Sequence, residues 1–212
     1  MSKIAAIILA AGLSSRFEGG PEETKLVVPL FGKPLVRHIA EAALASRARP
    51  ILVVTGHAAT QVEATLENLD VSFISNPDYR TGLASSLKAG IAALPETAAG
   101  VLVLLADMPC VSMGLIDRLI QAFGESAQAP FAVAPVRAGL RGNPVLIGRD
   151  LFDAIKRLDG DRGARACLEA AGRDVLECLV DDDAIEIDID TKETLRHLHA
   201  SRPELGVPVS QR

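Results

Sequence analysis

Short, uninterrupted apolar runs recur along the first half of the chain. The runs are KIAAIIL at 3–9, PILVVT at 50–55, VSFIS at 71–75 and GVLVLLAD at 100–107. Runs that are apolar throughout, rather than alternating with polar residues, are typical of strands buried on both faces of a mostly parallel sheet. We therefore predict that these runs form the centre of such a sheet.

Segments with helical periodicity lie between these runs. They span 33–46, 58–69, 81–94 and 111–123, and Ser112 stands where the last of them needs an N-cap. A regular alternation of strand and helix predicts an α/β fold of three layers, with helices on both faces of the sheet.

The second half of the chain is less regular. FAVAPV (131–136) and NPVLI (143–147) flank AGLRG, which predicts a hairpin or a short excursion from the sheet. Further helices are predicted at 149–158, 161–172 and 191–202, and further strands at 174–180 and 184–190. Since no linker divides the chain, we predict one domain over residues 1–200 and a loose tail over residues 201–212.

Composition narrows the classes of function. The chain of 212 residues carries a formal net charge of −5, which argues against a general nucleic-acid-binding or anionic-membrane surface. No apolar run approaches the roughly 20 residues that span a bilayer, and no secretory leader is recognisable, so we predict a cytoplasmic protein. Cys110, Cys167 and Cys178 show no metal-binding spacing and are expected to be structural thiols in a reducing compartment.

The segment LAAGLSSR, residues 9–16, is the first candidate for chemistry. Gly12 follows the first predicted strand, and the carboxyl edge of an open α/β sheet is where ligands bind. Backbone N–H groups and the hydroxyls of Ser14 and Ser15 can cradle phosphate, and Arg16 and Lys25 add positive charge. The glycine spacing matches neither the dinucleotide fingerprint nor the Walker A loop. An ordinary solvated loop is the alternative.

Acidic residues mark two other places. Asp107 in LLADMP ends an apolar strand, where it can bind Mg²⁺ or simply serve a turn. Asp188 and Asp190 in EIDIDT alternate with isoleucine, so a strand would place both on one face. Two carboxylates on one face are costly unless a cation or water reaches them. An N-cap role for Asp190 is the alternative.

These motifs together resemble the MobA-like nucleotidyltransferases, and are most similar to the molybdenum cofactor cytidylyltransferases. The resemblance also rests on PLFGKPL, NPDYRTGLASSLKAGI, RGNPVLIG and GDRGAR, and it covers most of residues 4–195. It implies a Rossmann-like fold of the nucleotide-diphospho-sugar transferase type. It also implies the transfer of CMP from CTP to the phosphate of molybdopterin, with Mg²⁺ as cofactor and release of pyrophosphate.

The resemblance assigns roles by motif. Arg16 and Lys25 would hold the triphosphate, Asp107 would be the main Mg²⁺ ligand, and Asp190 rather than Asp188 would be the second. Nucleotide binding is expected from Leu9, Ala10, Ala11, Gly12, Ser14, Thr81, Gly82 and Ser85, and acceptor binding from Arg141, Asn143, Pro144, Asp161, Gly163 and Arg165. Ala11, in LAAG rather than LAGG, favours a site that reads cytosine. A partner of the molybdenum hydroxylase pathway would receive the product.

One departure from the family pattern concerns Lys25. EGGPEET intervenes between Phe17 and this lysine, so Arg16 and Lys25 stand nine positions apart. We expect Gly19, Gly20 and Pro21 to form a surface excursion that lets Lys25 fold back to the site. Three functions remain open as alternatives: nucleotidyl transfer to a sugar phosphate or another acceptor, a non-catalytic cofactor carrier, and a dinucleotide-dependent oxidoreductase.

Overall fold

The structure is a computed structural model that describes residues 3–17, 24–126, 130–160, 168 and 174–202. The strands are β1 Lys3–Ala10, β2 Pro29–Leu30, β3 Lys33–Pro34, β4 Ile51–Thr55, β5 Ser72–Ser75, β6 Ala98–Leu105, β7 Ala132–Arg137, β8 Leu140–Arg141, β9 Val145–Gly148 and β10 Val175–Leu179. The helices are α1 Leu35–Ala45, α2 Ala59–Leu66, α3 Leu83–Ala92, α4 Met113–Glu125, α5 Phe152–Ile155 and α6 Lys192–Ser201.

The main sheet has the strand order β10-β7-β9-β6-β1-β4-β5. The pairs β1–β4, β1–β6, β4–β5 and β7–β10 are parallel, whereas β9 runs antiparallel to both β6 and β7. The predicted mostly parallel sheet is confirmed. The carboxyl ends of β1 and β6 lie side by side, because Leu9 pairs with Leu105.

Both faces of the sheet are buried along β1, β4 and β6, as their uninterrupted apolar runs predict. The predicted central place of the run at 71–75 is wrong, because β5 is the edge strand, with Ser72 and Ser75 exposed and Phe73 and Ile74 only half-buried. Ile8 of β1 faces a cluster that includes the apolar side chains of α1, α2 and α4, while Ile7 faces a second cluster with those of α3 and α5. Both isoleucines are completely buried, and each stabilises the fold by about 1.5–3 kcal/mol relative to an exposed side chain. Helices therefore cover both faces, which confirms the predicted three-layer fold.

The hairpin predicted between 131 and 147 is confirmed in outline. β7 turns directly into the short antiparallel strand β8, and the chain then returns as β9 between β7 and β6. The predicted helix 149–158 is shorter, with a 3₁₀ turn at Arg149–Leu151 followed by α5. The predicted helix 161–172 lies outside the described residues except for Leu168.

The predicted strand at 184–190 is wrong. Residues Asp183–Ile185 form a 3₁₀ turn capped by the side chain of Asp182, and residues 186–190 have no regular structure. Ile189 is completely buried and its N–H donates to the carbonyl of Asp107, a loop residue, at 2.9 Å. The alternation of isoleucine and aspartate thus reflects one side facing the core, not membership of the sheet.

The single domain over 1–200 and the tail over 201–212 stay predictions, since residues 203–212 lie outside the described part of the chain. Among the described residues, none of the helices is long and apolar enough to cross a membrane.

Candidate functional site

A cavity of about 600 Å³ opens at the carboxyl edge of the sheet, between the ends of β1 and β6. Its walls come from the loop after β1, the turn after β6, the start of α3 and the segment before α6. This is the edge at which open α/β sheets bind ligands.

The loop after β1 is shaped by Ser14, which adopts a positive φ of 53°. The carbonyl of Ser14 accepts a hydrogen bond from the N–H of Phe17 at 2.9 Å, and the Phe17 side chain is buried. These contacts close a turn that leaves Gly12 and Arg16 on the cavity wall.

Lys25 reaches the cavity because its backbone is tied to the same loop. The Ser14 hydroxyl accepts a hydrogen bond from the N–H of Lys25 at 3.2 Å and lies 3.3 Å from the hydroxyl of Thr24. Thr24 in turn caps the 3₁₀ turn Lys25–Val27 by accepting from the N–H of Leu26. Lys25 therefore lines the same cavity as Arg16 despite their separation in sequence. The structure of residues 18–23 lies outside the described part of the chain.

Asp107, Asp188 and Asp190 form an acidic cluster in which one carboxylate oxygen from each residue lies within 4.8 Å of the others. The Nζ atom of Lys25 donates to Oδ2 of Asp107 at 2.7 Å and to Oδ1 of Asp190 at 2.8 Å. Arg16 forms an ion pair with the other oxygen of Asp190 at 2.8 Å. The site is thus a network of three carboxylates and two cations, with a net negative charge.

The electrostatics of this network hold Lys25 charged. Burial by itself would lower the pKa of Lys25, but the ion pairs with Asp107 and Asp190 outweigh burial, and the pKa lies above its ordinary value. Burial likewise favours a higher pKa for Asp190, yet its hydrogen bond and attraction to Lys25, with help from Arg16, lower it. Burial, followed by the charges of Asp190 and Asp107, raises the pKa of Asp188.

The donor set fits a hard divalent cation. Carboxylate oxygens are the ligands that Mg²⁺ and Mn²⁺ prefer, and the mutual repulsion of three carboxylates is relieved by added positive charge. Asp188 has no cation partner at hydrogen-bond distance among the ion pairs of the described residues. Asp107, Asp188 and Asp190 are therefore the residues that could hold a divalent cation. Two of them, Asp107 and Asp190, also contact Lys25.

A second cavity of about 520 Å³ adjoins the first and shares Leu105 and Asp188 with it. Arg141 lies on its wall and donates from two nitrogens to Oε1 of Glu177, at 3.0 and 2.8 Å. Asn143 lines the same cavity, and its N–H donates to the carbonyl of Ile185 at 2.9 Å. Two neighbouring cavities that meet at a carboxylate suit a reaction between two substrates.

Most of the predicted site residues converge. The first cavity is lined by Leu9, Ala11, Gly12, Ser14, Arg16, Lys25, Gly82, Asp107, Asp188 and Asp190, and the second by Arg141, Asn143 and Asp188. Asp161, Gly163 and Arg165 lie outside the described residues. The N-cap alternative for Asp190 is wrong, because Thr191 caps α6 by accepting from the N–H of Thr194.

Some predicted residues lie elsewhere. Ala10 is buried in the core cluster formed with α1 and α4 and does not line the cavity. Thr81 donates to the carbonyl of Asp78 and Ser85 to that of Gly82, and neither lines the cavity. Pro144 is buried and lines neither cavity.

Several cavity residues were not among the sequence candidates. Tyr79, Leu83 and Ser86 line the first cavity, from the end of the β5–α3 connection and the first turn of α3. Their composition is ordinary for a loop and a helix start. Two signals pointed to them: their position between a strand and the next helix, at the edge where ligands bind, and their place within NPDYRTGLASSLKAGI, one of the motifs that carry the family resemblance.

Comparison with known families identifies the class of protein. A MobA-like NTP transferase domain matches residues 6–175. The chain belongs to the MobA-like NTP transferase family, which is a family of nucleotidyltransferases. The resemblance drawn from the sequence motifs is thereby confirmed at the level of the family.

Curated relatives carry different names. Nicotine blue oxidoreductase of Paenarthrobacter nicotinovorans is 30% identical over 201 residues, which cover 92% of this chain and 96% of that protein. The bifunctional protein GlmU of Sorangium cellulosum is 27% identical over 165 residues, covering 75% of this chain but 34% of GlmU. The chain thus spans nearly the full length of the first relative and about a third of the second.

Solved structures agree on the fold. A homologue of Rv0371c from Mycobacterium sp. strain JC1 superposes with a TM-score of 0.80 at 28% identity, covering 96% of this chain and 98% of that one. Rv0371c of Mycobacterium tuberculosis in complex with manganese gives a TM-score of 0.76 at 25% identity, covering 94% and 99%. A CMP:2-keto-3-deoxy-manno-octonic acid synthetase complexed with CTP matches in fold alone, with a TM-score of 0.76 at 17% identity, covering 96% and 100%.

Proposed function

We propose that this protein is a metal-dependent nucleotidyltransferase that transfers CMP from CTP to the terminal phosphate of a molybdopterin-type acceptor. The observation that carries the proposal is the convergence of Asp107, Asp188 and Asp190 with Lys25 and Arg16 at one cavity. This set of charges, in a chain of the MobA-like family, suits a nucleoside triphosphate and a divalent cation.

The chemistry asks for positioning rather than for a catalytic base. An oxygen of the acceptor phosphate bonds to the α-phosphorus of the nucleotide as the bond to the β-phosphate oxygen breaks, and pyrophosphate leaves with that bonding pair. A phosphate monoester has a second pKa near ~6, so the nucleophile is already ionised at neutral pH. Rate enhancement then comes from holding two polyanions in line and neutralising charge on the leaving group.

Each charged residue has a role in this proposal. Asp107, Asp188 and Asp190 would hold Mg²⁺, which supplies positive charge to the phosphate oxygens when it is bound. Arg16 is 76% exposed at its side chain, so it can swing from Asp190 onto a triphosphate. Lys25 is held between Asp107 and Asp190, from where its ammonium can reach a phosphate on the metal side of the cavity.

The acceptor is proposed to enter by the second cavity, past Arg141 and Asn143. Asp188 lies where the two cavities meet, which is where the reacting phosphates have to come together. Ala11, which lines the nucleotide cavity, supports the preference for cytosine through the family resemblance alone. Handover of the product to a molybdenum hydroxylase is an expectation that follows from the acceptor.

A panel of substrates tests the proposal. ATP, CTP, GTP and UTP are each supplied with Mg²⁺ and either molybdenum-loaded molybdopterin or a sugar phosphate, and pyrophosphate release is followed. We expect release with CTP and the pterin. If pyrophosphate is released only with the sugar phosphate, the acceptor is a sugar phosphate and not the pterin. If the pterin binds tightly but no pyrophosphate is released, the protein is a cofactor carrier.

A matched pair of variants ties the activity to the site. Asp107→Asn should lower the rate of pyrophosphate release by about a hundredfold or more, because it removes a charge at the proposed metal. Asp150→Asn, which changes an exposed carboxylate just after β9, near the start of β6 rather than its carboxyl end, should keep the rate of the wild type. A folded Asp107→Asn protein with full activity would disprove the assignment.

The name of one relative supports a second candidate, an oxidoreductase. Against it, the segment LAAGLSSR at 9–16 has a single glycine, Gly12, where a dinucleotide fingerprint has three at fixed spacing. The two functions separate cleanly in assay. Oxidation of NADH or NADPH by an added dye, in the absence of any nucleoside triphosphate, would support the oxidoreductase, whereas the proposed function predicts none.

A further inference from the structure

Tyr79 lies on the wall of the nucleotide cavity, in the connection between β5 and α3. It is the only tyrosine of the chain, which has no tryptophan. The nucleotidyl chemistry described above does not use it. An aromatic ring on the wall of a cavity that is proposed to hold a nucleotide raises the question of whether it contacts the base.

The position of the Tyr79 side chain is set by close packing. A Cβ atom added at Gly56 would lie 2.7 Å from Cβ of Tyr79 and 2.9 Å from Cβ of Ala11, so only glycine lets these three residues meet. The Tyr79 ring lies 6.2 Å from the His57 ring, and the Arg80 guanidinium lies 5.3 Å from the Tyr79 ring centroid. The Cβ atom of Tyr79 is therefore held by packing close to Ala11, at the start of the loop that carries Gly12.

Tyr79 and the acidic cluster come from different segments of the cavity wall. Leu13 and Leu83, which are 42% and 37% exposed, line the same cavity as Tyr79, whereas the carboxylates come from the turn after β6 and the segment before α6. Charged residues suit phosphates and metal. Apolar and aromatic side chains suit the flat face of a heteroaromatic base.

We propose that Tyr79 is a base-positioning residue, on whose ring the heteroaromatic base of the nucleoside triphosphate stacks. Arg80 is exposed and lines the cavity, so its guanidinium can shift along the ring to flank the base as a planar cation. The inference rests on the proposed function. It adds to that function an aromatic contact that holds the base while the charged residues hold the triphosphate.

The single tyrosine makes a direct test possible. Protein labelled with 3-fluorotyrosine gives one ¹⁹F resonance, from position 79. With Mg²⁺ present, the protein is titrated with CTP, or with the nucleoside triphosphate that binds most tightly, and separately with inorganic tripolyphosphate. We expect the nucleotide to shift the resonance and tripolyphosphate to leave it nearly unchanged.

Two variants show whether the contact matters for binding. Tyr79→Leu should weaken nucleotide binding roughly tenfold to a hundredfold in calorimetry, which is the range for losing one stacked base. Tyr79→Phe keeps the ring and should bind nearly as the wild type does. Both variants should bind tripolyphosphate as the wild type does, which also shows that they are folded.

The possible outcomes separate this inference from the proposed function. If pyrophosphate release persists but Tyr79→Leu binds the nucleotide like the wild type, the base-positioning role is wrong and the function stands. If tripolyphosphate shifts the resonance as strongly as the nucleotide does, Tyr79 responds to the phosphates and not to the base, and the base-positioning role is again wrong. If the wild type binds none of the four nucleoside triphosphates, the proposed function fails and this inference fails with it.

Discussion

The side chain of Lys25 is only 10% exposed, and its ammonium group lies between the carboxylates of Asp107 and Asp190. An unpaired buried lysine would lose its proton readily, but these partners keep it charged. Its two hydrogen bonds occupy carboxylate oxygens that a metal ion would also seek. At the scale of single residues, the lysine and the metal are thus expected to compete for the same ligands.

This competition yields the first prediction. Lys25→Met should lower turnover by about a hundredfold to a thousandfold, as for loss of one charge-stabilising donor. It should at the same time tighten Mn²⁺ binding, because Asp107 and Asp190 lose their internal cation. Turnover is read from pyrophosphate release and Mn²⁺ affinity from electron paramagnetic resonance.

Lys33→Met is the matched control for this change. Lys33 pairs with Glu41 at the surface, away from both cavities, so neither measurement should change. Equal Mn²⁺ affinity in Lys25→Met and wild type would show that the lysine and the metal do not share ligands.

At the scale of elements, the position of the segment before α6 is set by its contacts with the turn before β9. The N–H of Gly142 donates to the carbonyl of Pro135, and the N–H of Asn143 donates to the carbonyl of Ile185. A Cβ atom added at Gly142 would lie 2.5 Å from the carbonyl oxygen of Ile185. The RGNP motif therefore packs against the segment that carries Asp188 and Asp190 and helps to position it.

Gly142→Ala should displace that segment and lower activity although no charged residue changes. We expect a loss of about 1–3 kcal/mol in the free energy of unfolding, the usual cost of overpacking, together with a fall in turnover. Urea unfolding and pyrophosphate release measure the two effects.

Gly124→Ala in α4 is the control, since a Cβ atom there meets nothing within 4 Å. It should stabilise the fold by roughly 0.5–1 kcal/mol through helix propensity and leave turnover unchanged. An active, fully stable Gly142→Ala protein would refute the proposed dependence.

His38 joins α1 to β2 and gives a prediction about pH. Its Nε2 atom lies 2.9 Å from the carbonyl oxygen of Leu30, and burial, the largest influence, leaves its pKa below the ordinary value. The folded state thus binds this proton less readily than the unfolded chain does. The stabilising contribution of neutral His38 is complete above the unfolded pKa of about 6.5 and is lost as the pH falls through the folded pKa.

His38→Gln should remove that part of the pH dependence. Free energies of unfolding in urea, compared between pH 7.5 and pH 5, should fall less for the variant than for the wild type. An equal fall in both proteins would assign the acid sensitivity to other groups.

At the scale of the whole molecule, the site lies where segments from both halves of the chain meet at one edge of the sheet. The β1–β6 pairing sets the loop after β1 beside Asp107, and the Asp107–Ile189 hydrogen bond adds the segment before α6. A ligand of this site therefore contacts parts of the chain that unfolding would separate.

A divalent cation should accordingly stabilise the folded protein. At a concentration about a hundred times the Kd, Mn²⁺ should raise the Tm by roughly 5–10 °C, since it binds the folded state alone. Asp188→Asn should shrink this shift without breaking the Lys25 ion pairs, while Asp150→Asn should keep it. The same shift in all three proteins, measured by scanning calorimetry, would place the metal elsewhere.

Local sequence was enough for the regular elements. The apolar runs of β1, β4 and β6 and the helical periodicity of α1 to α4 arise from burial on a sheet face, and burial repeats along a strand or helix. The Ser112 cap was predictable for the same reason, because its bond to Leu115 spans three residues. The 184–190 segment shows the limit, because a chain lying along the core can alternate without belonging to a sheet.

The sequence by itself thus determined most of the regular elements, their layered arrangement and the residues with chemistry to offer. Tertiary structure alone decided which of them meet: Lys25 contacts carboxylates 82 and 165 positions away, and Thr81 and Ser85 turn their hydroxyls to nearby backbone. It also placed Tyr79 on the cavity, through packing against Gly56 and Ala11. Local patterns record burial and capping, whereas contacts between distant segments depend on how the strands are ordered and paired.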